Sequence, residues 1–132
     1  MNTYVKDVMS HEVISIDCNE TVRKACEIFS NSRVGCLIVT DKENLIGLVS
    51  ERDIIVRTIC MDRDPNTTKL EEITSKNIKT IDKNERLEKA IEMLKENKIK
   101  KLPVTFNKEV VGIVTITDIA YSRPSMKELF QF

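Results

Sequence analysis

The sequence predicts an α+β protein built from two β-α-β-β-α repeats, packed sheet to sheet about a pseudo-two-fold axis. Three observations predict it. The stretch Gly47-Leu48-Val49-Ser50-Glu51-Arg52-Asp53-Ile54 returns 65 residues later as Gly112-Ile113-Val114-Thr115-Ile116-Thr117-Asp118-Ile119. Laying 13–54 over 78–119 needs no gap and gives 14 identities in 42 positions, the signature of an internal duplication. Within each copy the apolar period switches from strand to helix at the same places.

The elements follow in order. Val13-Ile14-Ser15-Ile16 is rich in β-branched residues and reads as a short strand. Asn19 is expected to cap a helix from about Glu20 to Ser30, whose apolar face is Val22, Ala25, Cys26 and Phe29. The second repeat carries that face at Leu87, Ala90, Ile91 and Leu94. Two strands come next, Cys36–Thr40 and Leu45–Val49, joined by a polar turn at Asp41-Lys42-Glu43-Asn44. Their counterparts are Leu102–Thr105 and Val110–Val114, joined around Asn107-Lys108-Glu109. Pro103 cannot donate to a ladder, so it should start its strand or lie at an edge. A last helix runs from Glu51 to about Cys60 in the first repeat. In the second it runs from about Ile116 to Tyr121, before Pro124. Tyr4–Val8 leads into repeat one as Lys69–Ile73 leads into repeat two. A sheet of three strands with two helices buries too little to stand alone at about 60 residues, so the repeats are expected to form one module. The domains are placed at 8–64 and 73–129.

Composition excludes several classes. With 21 basic and 21 acidic residues the net charge is zero, which argues against a nucleic-acid partner despite the cluster Lys98, Lys100 and Lys101. No apolar run approaches the roughly 20 residues of a membrane span, and no signal-peptide core opens the chain. A soluble, cytoplasmic protein is expected. The cysteines Cys18, Cys26, Cys36 and Cys60 form no CxxC pair, and His11 is the single histidine, so no metal site and no disulfide are expected. Cys26 and Cys36 lie on apolar faces and read as reduced core residues. Nothing pairs a nucleophile with a base, and the chain has only three glycines and no phosphate-binding loop. An enzyme is not expected.

The duplicated motif carries two readings. Each copy is a strand running into a helix start, with a hydroxyl residue and, three positions on, an aspartate. Such a pair caps a helix, worth about 1 kcal/mol. A helix start also favours anions, so the junction can equally hold a ligand.

With Val8-Met9-Ser10, Leu102-Pro103-Val104 and the paired Gly-x-x-[Ser/Thr]-x-x-Asp in register on this background, the chain resembles a tandem pair of CBS domains, the Bateman module. The resemblance covers about Val8 to Ser122. It implies a regulatory module that binds AMP, ADP, ATP or S-adenosylmethionine in clefts between the repeats and requires no cofactor. By the family's pattern Asp53 and Asp118 would hold ribose hydroxyls, and Ser50 and Thr115 would contact ribose or phosphate. Ser15 and Ile16, and Thr80 and Ile81, would cradle the base. Arg52 in the first motif could clamp a phosphate; Thr117 takes its place in the second. Lys100 and Lys101 put cations before the central strand of repeat two alone, where repeat one has Gly35 and Cys36. The resemblance also implies a homodimer, with Ile55, Ile59, Phe130 and Phe132 as candidate surface, and a regulated protein partner. Two other functions compete. One is a ligand-free dimerisation or scaffolding module whose motifs are only caps. The other is a thiol switch through Cys36 or Cys60.

Overall fold

The computed structural model describes residues 2–123 and 125. In chain order the elements are α1 (Val5–Val8), β1 (Ser15–Asp17), α2 (Val22–Asn31), β2 (Cys36–Asp41), β3 (Asn44–Ser50), α3 (Glu51–Ile54), β4 (Ile81–Asp82), α4 (Leu87–Asn97), β5 (Lys101–Phe106), β6 (Glu109–Thr115) and α5 (Ile116–Ser122). The class is α+β, and each repeat shows the β-α-β-β-α order. Helix α3 continues as a π-helical turn, Ile55–Ile59, in which Cys60 N–H reaches back to the Ile55 carbonyl at 2.9 Å. A 3₁₀ turn covers Leu70–Glu72.

The chain forms two compact units, Val13–Ile78 and a second made of Met1–Glu12 with Lys79–Phe132. In the first, the sheet order is β1-β2-β3, with β1 parallel to β2 and β2 antiparallel to β3. The second repeats this as β4-β5-β6. Both hairpins close on two residues with positive φ, Lys42 and Glu43 in one and Asn107 and Lys108 in the other. That is the backbone a two-residue turn needs to match strand twist.

The lead-in segments each pack on the repeat they do not precede. Val5 N–H donates to the Glu85 carbonyl (2.9 Å), and Ser10 exchanges two hydrogen bonds with Ile113 (2.8 and 3.0 Å). In the other unit Leu70 N–H donates to the Glu20 carbonyl (2.9 Å), and Ser75 pairs with Leu48. Val5 and Leu70, 65 residues apart, are both fully buried. Gly47 and Gly112 make room for these straps. A Cβ on Gly47 would overlap the Ser75 carbonyl oxygen and Thr74 Cγ2, and one on Gly112 would lie 2.7 Å from Met9 Sδ and from the Ser10 carbonyl oxygen. Neither glycine has positive φ, so space and not conformation requires them.

Each unit has its own core. One gathers Ile16, Val22, Ala25, Leu37, Val39, Val49, Leu70 and Ile73; the other Leu87, Ala90, Leu94, Leu102, Val104, Val114 and Ile119. The two helix faces differ: Leu87, Ala90, Ile91 and Leu94 are all buried, whereas Cys26 and Phe29 are half-buried.

Three expectations about elements are corrected. Asn19 does not cap α2: Thr21 does, its Oγ1 accepting from Lys24 N–H at 3.2 Å, while Asn19 N–H donates to Asp17 Oδ1 in a turn. The first strand is Ser15–Asp17, not Val13–Ile16: its ladder with β2 runs from Ser15 opposite Ile38 to Asp17 opposite Thr40, with Ile14 contributing only a carbonyl to Ile38 N–H. Pro103 neither starts its strand nor lies on an edge strand; it is the third residue of central strand β5. The matching residue, Ile38, donates to the Ile14 carbonyl at 2.9 Å. Proline has no such donor, and β4 begins one residue later than β1, at Ile81. The edge is therefore local to that position.

Candidate functional site

Because β1 runs parallel to β2 and β3 returns antiparallel, the starts of β1 and β2 and the end of β3 share one end of the sheet. The start of α3 follows directly from that end. Topology alone thus brings Ser15, Cys36, Ser50 and Asp53 to one region, and Ile81, Lys101, Thr115 and Asp118 to its counterpart.

The junction in repeat one is a closed hydrogen-bond box. Asp53 N–H donates to Ser50 Oγ (3.1 Å), and Ser50 N–H donates to Asp53 Oδ2 (2.8 Å). The Ser50 hydroxyl donates to the same Oδ2 (3.0 Å). In repeat two, Asp118 N–H donates to Thr115 Oγ1 (3.1 Å) and Thr115 N–H to Asp118 Oδ2 (2.9 Å). Both aspartates are half-buried. The cap is therefore real in both copies. In each copy it uses one carboxylate oxygen, Oδ2, and not the other.

The surroundings of that second oxygen differ. Asp53 Oδ1 lies 3.8 Å from Arg57 Nε, one helical turn on. The same guanidinium donates through an Nη to the Ile73 carbonyl at 3.1 Å. Among the described residues, Asp118 Oδ1 has no such partner, and the residue matching Arg57 is Ser122.

The other expected site residues fall as follows. Lys101 opens β5 directly opposite Thr115, and the Lys100 carbonyl accepts from Ile116 N–H at 3.0 Å. Both lysines thus sit at the same helix start as Asp118, Lys100 exposed and Lys101 half-buried. In repeat one the place of Lys101 is taken by buried Cys36, paired with Ser50. Arg52 and Thr117 are exposed in the first helical turn. Ser15 and Thr80 are exposed. The side chains of Ile16 and Ile81 belong to the cores, so only their backbone faces the sheet edge. Their carbonyls already take long hydrogen bonds (3.5 Å) from the Thr40 and Thr105 hydroxyls. Arg57 was not singled out by sequence reasoning, although its i+4 spacing from Asp53 is a readable signal.

Burial pushes the thiols of Cys18 and Cys26 upward, and the carboxylates of Asp41 and Asp17 add to the effect at Cys18. That weakens both as nucleophiles. Cys36 is buried and Cys60 is exposed. Among the described residues, no group of three or more His, Cys, Asp or Glu could hold a metal ion, and no helix is long and apolar enough to cross a membrane.

One open groove, of about 330 Å³, lies between α2 and α3, lined by Cys26, Phe29, Ser30, Glu51, Ile54 and Ile55. Beside it the α3–π segment exposes Ile55, Val56 and Ile59, followed by Met61. Phe130 and Phe132, expected on the same surface, lie outside the described residues.

Comparison with known proteins places these features. The chain is 31% identical over 121 residues to the CBS domain-containing protein YhcV of Bacillus subtilis, covering 92% of this chain and 86% of that one. Among solved structures, it matches the CBS domain pair of protein MJ0100, in complex with 5′-methylthioadenosine and S-adenosyl-L-methionine. The TM-score is 0.82 and the identity 25%, over 96% of this chain and 99% of that one. It also matches Hypoxic Response Protein I, solved with two coordinated zinc ions, at a TM-score of 0.79 and 27% identity, over 91% and 98%. The CBS-domain family model matches residues 5–59 and again 70–124. With two matches that together span most of the sequence, the chain belongs to the CBS-domain family as a tandem pair.

Proposed function

We propose that this chain is a non-catalytic regulatory module that binds an adenosyl ligand (AMP, ADP, ATP or S-adenosylmethionine) at the Ser/Thr-x-x-Asp junctions and signals to a partner protein by changing conformation. The observation that carries the reading is a half-buried carboxylate at each strand-to-helix junction, fixed by the cap through only one of its oxygens. The cap fixes the carboxylate through its first oxygen, so the second is held in place before any ligand arrives. Two vicinal ribose hydroxyls are donors of the right chemistry for it, and each charge-assisted hydrogen bond is worth about 1.5–3 kcal/mol. Lys100 and Lys101 at the same end of repeat two suit a phosphate or another anionic group. The adenosyl ligands held by the CBS pair of MJ0100 support this class of ligand.

A thermal-shift panel tests it. A ligand at 100 times its dissociation constant stabilises the fold by about 2.7 kcal/mol, read as several degrees in Tm. No shift with AMP, ADP, ATP or S-adenosylmethionine at millimolar concentration would leave the scaffold reading in its place.

We further propose that the module acts as a homodimer through the apolar face of α3 and its π-helical turn. Ile55 and Ile59 are each more than half exposed there, and contiguous apolar surface of this kind marks interaction sites. Light scattering at tens of micromolar should give twice the chain mass, and Ile59→Asp should give a monomer. A wild-type monomer at that concentration would remove the dimer.

A further inference from the structure

We propose that Arg57 acts as a latch on the carboxylate of repeat one, so that the two repeats take an adenosyl ligand unequally. The inference rests on the ribose–carboxylate reading above and concerns the regulation of that same site. Asp53 Oδ2 is committed to Ser50 through two hydrogen bonds. Asp53 Oδ1, the oxygen a ribose would need, faces the Arg57 guanidinium at 3.8 Å. Arg57 is not simply a solvated arginine that drifts past. Its other end donates to the carbonyl of Ile73 at 3.1 Å, and Ile73 is 1% exposed, inside the strap that Leu70 and Glu71 tie to the Glu20 and Cys18 carbonyls. The guanidinium is therefore held at two points, one on the site and one on the segment that leads into repeat two.

The duplication supplies the control. The glycine, the hydroxyl and the carboxylate of the junction recur at the 65-residue offset, Gly47 and Gly112, Ser50 and Thr115, Asp53 and Asp118, while Cys36 is matched by Lys101. Arg57 does not recur; its match is Ser122, and the second oxygen of Asp118 has no ion-pair partner among the described residues. Among the described residues, a ribose at repeat two meets an acceptor with no ion-pair partner. A ribose at repeat one must first displace Arg57, and its arrival would release the Ile73 anchor. Ion pairs of this exposure and spacing sustain effects of about two- to fivefold in an equilibrium constant.

The test uses the full chain and 5′-methylthioadenosine, which offers ribose hydroxyls without a phosphate that Arg57 could itself attract. Isothermal titration is run on wild type, Asp118→Ala, and Asp118→Ala combined with Arg57→Gln. Glutamine keeps an amide donor for the Ile73 carbonyl and removes the charge; Arg57→Ser, which copies repeat two, is the second variant. The latch predicts that Asp118→Ala retains weak binding at repeat one, and that adding Arg57→Gln or Arg57→Ser tightens it about two- to fivefold. Unchanged or weaker binding in both double variants would overturn the latch. So would wild-type binding that vanishes in Asp118→Ala and is not restored by either change, while leaving the adenosyl reading intact. Absence of binding in every variant, wild type included, would overturn the adenosyl reading and the latch together.

Discussion

In repeat one the Asp53 carboxylate divides itself between Ser50 and Arg57. In repeat two the Asp118 carboxylate turns one oxygen to Thr115 and has no partner for the other among the described residues. The two junctions share the reciprocal pair of N–H bonds that makes the cap, with a third bond from the Ser50 hydroxyl in repeat one, yet position 36 against 101 sets cysteine against lysine, and position 57 against 122 sets arginine against serine. What the duplication kept is what folds the chain: the glycine that admits a strap, the hydroxyl and the aspartate that close the box, the aliphatics beneath. What it let diverge lines the region where a ligand would lie. Shared residues in a repeat protein report first on the fold, and the differences report on the site.

The comparison can be broken most forcefully at the glycines. Gly47→Ala forces a methyl onto backbone, the Ser75 carbonyl, whereas part of the clash at Gly112 is with the flexible Met9 side chain. Overpacking of this kind costs about 1–3 kcal/mol. Gly47→Ala should fall at the upper end and Gly112→Ala below it, measured by urea denaturation. Equal or reversed losses would mean the two straps are not held as described.

The caps should behave alike where the glycines do not. Ser50→Ala and Thr115→Ala each remove one box and should each cost about 1 kcal/mol, without preference for either repeat. A loss at one repeat only would show that the boxes are not equivalent in energy, against their matching pairs of N–H bonds.

A smaller and opposite effect is expected where the last helices part company. Thr58 is fully buried in the π-helical turn of repeat one, and its Oγ1 has no partner among the described residues. Its match is Arg123, which pairs with Glu88 at 2.9 Å and helps hold that carboxyl below its ordinary range, behind a backbone hydrogen bond to Glu88. Thr58→Val keeps the shape and removes an unpaired hydroxyl, so it should be neutral or stabilise by up to about 1 kcal/mol. A clear loss of stability would mean that the hydroxyl is satisfied in solution.

Much of this was legible in the residues. The 65-residue offset and the alternating apolar periods gave both repeats and the order of their helices and strands, because core faces and hairpins are local patterns. The N-cap of α2 was misplaced by two positions, since Asn19 and Thr21 are both competent caps and only the turn made by Asp17 separates them. Pro103 was misjudged because strand order, and the length of a neighbour, are not local. The straps and Arg57 escaped for the same reason: Gly47 meets Ser75, and Arg57 meets Ile73, across distances in sequence that no periodicity encodes. The candidate carboxylates could be named from the motif, but their unequal readiness could not.

The most direct test of that inequality is calorimetric titration of AMP into wild type, Asp53→Ala and Asp118→Ala. Asp118→Ala should weaken the dominant binding event by roughly one to two decades, the worth of a charge-assisted hydrogen bond to ribose. Asp53→Ala should leave that event nearly intact, with only a small loss of stability from its cap. Equal weakening by the two substitutions, or a dominant loss at Asp53, would contradict the account.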